Sequence, residues 1–510
     1  MDSKSNRKAA QGVAWASAAN WGCQLLSFVG YAGLARLLNP DAFGLVAIAG
    51  VYITFIQVFV TQGFGMAIIQ RNHVEPEHLD SAFWIAMATA FLFCVLSLLL
   101  GGQIARLFHE PRVAPVVGWL SFSFFFYALS SVPTAILTRE LDFRSLAIRS
   151  LLATMVSSAI GLAMAFFGCG VWSLVGQQLV NALLGCIWLW GAVSWRPRLR
   201  ISRRHLGDLY GFSLSITGND VLWFFSQKSD QTIVGYGFGP LGLGPYSLAS
   251  RLTTFLYDGI VGPLSSVAFP AFSKLQSEPL KFERALYRFC EMSSFVSFPV
   301  FAGIVVVAPD LVPLFFGAKW ASAVPILQIL AVYGALRSAL GFVHPFLLST
   351  GRAGLFLLNG VILSCLTFAG CLIAVRWNPA AIAFSIVVTM LLYAVVFLVI
   401  AQRALAVRIR PLLKTFAFPG LSSLFMLIVV ALLRGFISKI FASATTVIVC
   451  VTAGVVVYIL TALYGRPDLV KAIWELVGKH LFSPGRVDQV DTLSMPVKYV
   501  AKATPSSPEP

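Results

Sequence analysis

Residues 39–61 read Asn39-Pro40-Asp41-Ala42-Phe43-Gly44-Leu45-Val46-Ala47-Ile48-Ala49-Gly50-Val51-Tyr52-Ile53-Thr54-Phe55-Ile56-Gln57-Val58-Phe59-Val60-Thr61. The Asn-Pro-Asp opening is a turn signal, because Pro fixes φ and Asn and Asp bond their own backbone. From Ala42 to Gln70 no Asp, Glu, Lys or Arg interrupts the chain. An α-helix rises 1.5 Å per residue, so about 20 such residues cross the ~30 Å hydrocarbon layer of a bilayer. A surface helix of a water-soluble domain would carry a charged face. This stretch carries none and reads as a membrane span over 42–69.

The same pattern recurs at 12–37, 81–107, 113–138, 145–167, 171–194, 208–236, 241–272, 287–308, 322–349, 353–375, 380–402, 412–434 and 442–464. That predicts fourteen transmembrane helices in an all-α integral membrane protein. Of 510 residues 58% are hydrophobic and 11% charged, with mean hydropathy +0.83, where a soluble domain carries about 25% charge. A water-soluble fold is excluded. The first apolar block is too long for a signal-peptide core, so the N-terminus is expected to be retained. Cys23, Cys94, Cys186, Cys290, Cys365, Cys371 and Cys450 fall in or at the edge of apolar blocks, and no CxxC pair is present. Thiols so placed act as small hydrophobes.

A net charge of +16 raises nucleic acid as a partner until the charge is located. With the N-terminus in the cytoplasm, 27 of the 37 Lys and Arg lie on that side and seven outside: Arg36, Arg106, Arg112, Lys319, Arg376, Arg434 and Lys439. Positive charge retained inside accounts for the excess, places both termini in the cytoplasm and favours contact with anionic lipid over nucleic acid. His73-Val74-Glu75-Pro76-Glu77-His78 has a superficial likeness to a metal site, but Pro76 interrupts it and no other Cys or His is near in sequence, so it reads as a solvated loop. No Walker A, GxSxG or HExxH pattern occurs; neither a cofactor, a metal nor an enzymatic reaction is expected.

Two turns echo one another at an offset of 200 residues: Asn39-Pro40-Asp41-Ala42-Phe43-Gly44 and Gly239-Pro240-Leu241-Gly242-Leu243-Gly244. Six helices separate their positions, an even number, so the repeats run parallel and imply two six-helix lobes about a pseudo-twofold along the membrane normal. The expected division is 1–194 (lobe one), 195–207 (basic linker), 208–404 (lobe two), 405–464 (two accessory helices) and 465–510 (a largely disordered tail after an amphipathic segment at 467–482).

Spans one to six show no charge away from their ends, whereas spans seven, eight and ten contain Asp220, Lys228, Asp230, Arg251, Asp258, Arg337 and His344. A charge at mid-membrane costs roughly 2.5–3.5 kcal/mol on insertion scales, so such groups face a bundle interior or an aqueous path. Ser213, Asp220, Gln227 and Gln231 share one helical face flanked by Lys228 and Asp230. Arg251 and Asp258 share another face, as do Arg337 and His344. Three cations thus become candidates for an anionic headgroup, phosphate or pyrophosphate. The alternative is structural ion pairing, Lys228 with Asp220 or Arg251 with Asp258. The first lobe offers amides instead: Asn20, Gln24, Gln57, Gln62, Gln177, Gln178 and Asn181, either for sugar hydroxyls or for interhelical bonds. Trp15, Trp21, Trp223 and Tyr257 are candidates for stacking on sugar faces.

The run Gly12-Val13-Ala14-Trp15 through Ala35-Arg36-Leu37-Leu38-Asn39-Pro40, with Phe43-Gly44-Leu45 and Ala67-Ile68-Ile69-Gln70-Arg71, resembles the Wzx-type polysaccharide flippases, the oligosaccharidyl-lipid branch of the MATE-like transporter superfamily. Leu137-Thr138-Arg139, Asp230 with Gly235, Leu243-Gly244, Tyr246, Leu248-Ala249, and Gly317 with Lys319-Trp320 extend the likeness over most of residues 1–400. The resemblance implies a two-lobe alternating-access fold in a bacterial inner membrane. It implies that polyprenyl-pyrophosphate-linked oligosaccharide moves from the cytoplasmic to the periplasmic leaflet for O-antigen, capsule or exopolysaccharide assembly, with a coupling ion and polymerase or export machinery as further partners. Two rivals stand beside it: a cation-coupled multidrug exporter of the same fold, and a membrane polysaccharide polymerase or ligase. The first favours buried acids in lobe one, the second a large external loop, and the sequence shows neither.

Overall fold

The computed structural model describes residues 21–467 apart from 62, 72, 351, 352 and 406. Asn20, Trp15, Gln62 and nearly all of the expected amphipathic segment and tail lie outside the described residues. Helix α1 runs through 21–37. It is followed by α2 (Pro40–Thr61), α3 (Phe64–Gln70), α4 (Pro76–Leu107), α5 (Val113–Ser121), α6 (Ser123–Arg139), α7 (Phe143–Phe166) and α8 (Val171–Ala192). The C-terminal half contains α9 (Arg203–Leu275), α10 (Pro279–Phe316), α11 (Ala323–Leu340), α12 (Val343–Ser349), α13 (Ala353–Ala374), α14 (Pro379–Leu405), α15 (Ile409–Ile437) and α16 (Ser443–Gly465). No strand occurs among the described residues.

Among the described residues, twelve helical segments are long and apolar enough to cross a membrane. One of them, Ile216–Leu275, spans 60 residues, about 90 Å of helix at 1.5 Å per residue and far more than one crossing needs. It turns at Gly239, whose φ of 60° and ψ of −163° suit a residue without Cβ, and Pro240 starts the second limb. Three expected spans are interrupted. Gly63 at φ 65° separates α2 from α3, Phe122 separates α5 from α6, and Gly341-Phe342 separates α11 from α12. Local caps fix other ends. Asp142 accepts from Ser145 N at 3.1 Å to start α7, and Glu75 and His78 form a reciprocal capping box at α4 with Pro76 in its first turn.

The largest apolar core joins both halves of the chain: Leu34, Phe43 and Ile48 pack with Val234, Tyr246, Phe316 and Trp320. A second core (Phe272, Phe289, Phe342, Phe346, Phe397) lies wholly in the C-terminal half, and another (Phe64, Phe83, Val132) is built around the N-terminal half. The halves therefore share one core at the face bearing the Pro40 and Pro240 turns and keep separate cores toward the opposite face, where most of the described Arg and Lys lie. That opposite face is called the basic face below.

Two seams hold the halves together. Along one, α1 meets the second limb of α9: Phe28 stacks on Phe255 at 5.4 Å, and a Cβ on Gly259 would lie 3.2 Å from the Trp21 ring. Along the other, α2 meets the first limb, with Phe55 against Phe224 at 5.0 Å. Where the shared core ends, side chains bond the other half's helix C-terminus. Arg36 donates to the carbonyls of Phe315 (2.9 Å) and Leu314, Lys319 to that of Arg36 (2.8 Å), and the Trp320 indole to that of Ala35 (2.9 Å). The last carbonyls of a helix lack intrahelical partners, so these donors satisfy groups otherwise left bare.

Helices α15 and α16 dock on α10. Arg434 pairs with Asp310 at 2.5 Å, Tyr458 donates to the Phe295 carbonyl at 2.7 Å, and Arg466 pairs with Glu291.

Candidate functional site

The charges sit beside the seams. Arg251, on the second limb of α9, is exposed although deep in the helical layer, and its guanidinium lies 4.5 Å from the centroid of the Tyr31 ring on α1. This contact crosses the seam. Arg337 on α11 lies 4.1 Å from the centroid of Tyr257. A cation over an aromatic face gains about 0.5–2 kcal/mol, yet keeps most of its N–H donors for another partner. Lys228 donates to Gln231 Oε1 at 3.1 Å, and Gln231 Nε2 reaches Ser250 Oγ at 3.2 Å across the two limbs.

The ion pairs considered from the sequence do not form. Among the described residues none of Lys228, Arg251 and Arg337 makes a salt bridge to Asp220, Asp230 or Asp258. Asp230 instead accepts from the Tyr246 hydroxyl at 2.8 Å. Asp258 is exposed and acts on Arg337 only at longer range, while Lys228 lies within reach of both the attraction of Asp230 and the repulsion of Arg251. Sequence spacing gives the correct faces but cannot show that a tyrosine, not a carboxylate, occupies the near position.

The remaining candidates are more scattered. Asp220 and Gln227 are half-buried on the first limb, and His344 is exposed on α12. Gln24 on α1 has its amide oxygen buried without a partner, and Gln57 is half-buried on α2. Gln177 and Asn181 donate to Ser158 and Ser157 on α7 at 3.3 and 3.2 Å, which is interhelical bonding.

Two features were missed. Arg149, counted with the basic face from the sequence, lies two turns into α7, half-buried beside Tyr127 and Cys186, with its Nε buried and unbonded. The N-terminal half is therefore not free of inward charge. The His73–His78 segment is not simply a solvated loop either. His78 is 2% exposed, and its ring meets that of His205 from the start of α9 at 4.5 Å.

The family described as "Polysaccharide biosynthesis protein" matches residues 34–325. The chain belongs to this family. That match covers the whole of α2 to α10, including Lys228, Asp230, Arg251 and Asp258. The chain is similar to the succinoglycan biosynthesis transport protein ExoT of Rhizobium meliloti (strain 1021), at 26% identity over 67% of this chain and 69% of ExoT. It is similar also to the lipopolysaccharide biosynthesis protein WzxC of Escherichia coli (strain K12), at 25% over 68% and 70%. Among solved structures, the lipid II flippase MurJ in an inward closed conformation superposes with a TM-score of 0.74, at 14% identity over 89% of this chain and 99% of MurJ. An inward-facing MATE multidrug transporter gives 0.62, at 16% over 77% and 96%. The fold is that of the MurJ and MATE transporters, and the chain is a multi-pass membrane protein of the polysaccharide biosynthesis family. Such transporters are generally not enzymes.

Proposed function

We propose that this chain is an alternating-access flippase that carries polyprenyl-pyrophosphate-linked oligosaccharide repeat units from the cytoplasmic to the periplasmic leaflet of a bacterial inner membrane, for exopolysaccharide, capsule or O-antigen assembly. The observation that carries the reading is the state of the cations. Among the described residues, Arg251 and Arg337 rest on tyrosine rings without a carboxylate in contact, and Lys228 bonds a neutral amide. Cations so held suit a transient multivalent anion, because binding a pyrophosphate breaks no ion pair. The halves act as six-helix lobes, 1–194 and 208–404, joined by the basic linker. With the apolar block at 12–37 counted from sequence as one crossing and α9 as two, the chain has fourteen spans, its basic face and both termini in the cytoplasm. Helices α15 and α16 are accessories to the second lobe. The headgroup enters from the basic face, where the cores are separate. Rocking of the lobes then opens the turns at Pro40 and Pro240 outward while the lipid tail stays in the bilayer.

The test is transport of a fluorescent polyprenyl-pyrophosphate oligosaccharide in liposomes, with Arg251→Ala and Arg337→Ala beside the parent. The reading expects movement by the parent and loss in both variants at unchanged thermal stability. Export of small organic cations without the lipid-linked sugar overturns it in favour of a drug exporter.

A further inference from the structure

We propose that the junction between α4 and the start of α9, on the basic face, is a transition-metal site built from Glu75, His78 and His205. Two short motifs meet there. Glu75-x-x-His78 opens α4 and His205-x-x-Asp208 opens α9, each pair spaced i,i+3 so that both side chains leave one side of a first helical turn. One ligand atom from each of Glu75, His78 and His205 lies within 4.8 Å of the others. The three come from segments far apart in sequence, brought together because residues 198–205 are strapped to α4. Arg198 N donates to Asp80 Oδ1 at 3.2 Å, Ser202 N to Ser81 Oγ at 3.0 Å, and Trp84 Nε1 to the Arg198 carbonyl at 2.8 Å.

The hydrogen bonding of the imidazoles is one that a metal ion can take over. His205 Nδ1 lies 2.7 Å from Ser202 Oγ and its Nε2 lies 2.9 Å from Glu75 Oε2. The Ser202 hydroxyl can donate or accept, so the neutral His205 ring has two tautomers: Nε2–H donating to Glu75, or Nδ1–H donating to Ser202 with the Nε2 lone pair facing the Glu75 carboxylate, and only the second calls for a positive centre between the two acceptors. A proton or a metal ion serves.

His78 is arranged as a ligand supported from behind. The Glu75 amide donates to its Nδ1 at 3.2 Å, so the neutral ring carries its proton on Nε2. That Nε2 is buried with no hydrogen-bond partner, 3.6 Å from Asp208, which Arg71 holds at 2.8 Å. Nδ1 toward a metal and Nε2–H toward Asp208 is the carboxylate–histidine–metal arrangement that orients metal-bound imidazoles. Metal capture replaces the Glu75 amide bond to Nδ1 and adjusts donor separations that now run from 2.9 Å to at most 4.8 Å to the roughly 3.4 Å between tetrahedral ligands about 2.0–2.2 Å from zinc. Glu75 is exposed and precedes the helix, so its carboxylate can trade its cap bond to the His78 amide for the ion. Two imidazoles and one carboxylate suit Zn²⁺, or Co²⁺ as a spectroscopic probe, with a fourth position for water. The bound ion would lock the start of α9 to α4 and so restrain the linker between the halves.

The experiment is a Co²⁺ titration of the full chain in detergent, purified on a tag without histidine, followed by displacement with Zn²⁺. One Co²⁺ per chain with the intense visible bands of a four-coordinate site, bleached by Zn²⁺, is expected. His205→Gln and Glu75→Gln each weaken binding at least tenfold, and Asp208→Asn about tenfold through the outer carboxylate. Because His78 is buried, its variant is secondary; His205→Gln, whose side chain reaches the surface, must melt like the parent. Absence of Co²⁺ uptake by the parent, or unchanged affinity in both His205→Gln and Glu75→Gln, overturns the site.

Discussion

Gly44 lies so close to Pro240 that a Cβ on the glycine would collide with the proline carbonyl oxygen, and Gly244 stands in the same relation to Pro40. The two contacts are each other's image at an offset of 200 residues. An exchange in which residue i of one half meets residue j of the other, and j meets i, is the mark of a twofold relation. The short sequence echo of the two turns is thus also a point of contact between them, at the end of the molecule where the halves share one core.

The neighbour at each glycine is backbone, which cannot rotate away, so a methyl group must push the helices apart. Gly44→Ala and Gly244→Ala are each expected to destabilise the closed seam by about 1–3 kcal/mol, the cost of overpacking a tight site. Equal losses in thermal stability for the two variants are the signature of the reciprocal contact. Parent-like melting of either one contradicts it.

Arg251 is held by Tyr31 across the seam. If it binds the substrate's anionic group, Arg251→Ala should lower transport about 10- to 100-fold, the value of one or two charged hydrogen bonds at 1.5–3 kcal/mol. Arg251→Lys should recover part of it, since the charge returns without the planar fork. Tyr31→Phe keeps the aromatic face and should transport normally. Initial rates in liposomes at matched protein density decide this, and a transport-competent Arg251→Ala removes the residue from the path.

Much of this fold is legible in the sequence because membrane insertion imposes length and apolarity residue by residue. The blocks around Pro40–Thr61 and Pro379–Leu405 need no partner to be recognised. Breaks at Phe122 and Gly341 are not legible, since an interrupted span has the same composition as a continuous one. The polar stripe holding Asp220, Gln227 and Gln231 follows from helical period alone. The placement of Arg337 on Tyr257, and of His205 beside His78, depends on how distant helices pack, and no local pattern encodes it. Arg149 was overlooked for a related reason: a basic residue near a span end reads as topology until its surroundings are known.

At the end opposite the basic face, Arg112 joins Glu110 (2.8 Å) to Asp41 (2.8 Å). The hydrogen bond from Arg112 holds the Glu110 carboxyl below its ordinary range. A carboxyl depressed in the folded state contributes stability that is fully present above its unfolded value, near 4.5, and lost as pH falls through the folded value. Arg112 is largely exposed, so the contribution is about 0–1 kcal/mol. Thermal melts should place Glu110→Gln slightly below the parent at pH 7 and level with it by about pH 3. A gap that persists in acid would assign the loss to packing.

Arg149 offers the reverse sign. Its guanidinium is half-buried among α6, α7 and α8 with Nε unbonded, and no carboxylate among the described residues pairs with it. An uncompensated cation in that position costs desolvation energy that a methionine of similar length would not. Arg149→Met should therefore raise stability by about 1 kcal/mol or more, seen as a higher melting temperature in detergent. If Arg149 also takes part in handling the anionic substrate, the same variant transports more slowly despite melting later, because functional charges are held at the expense of stability. A lower melting temperature would mean that the guanidinium's packing on Gly185, whose Cβ position is 3.3 Å from Nε, outweighs the burial of its charge.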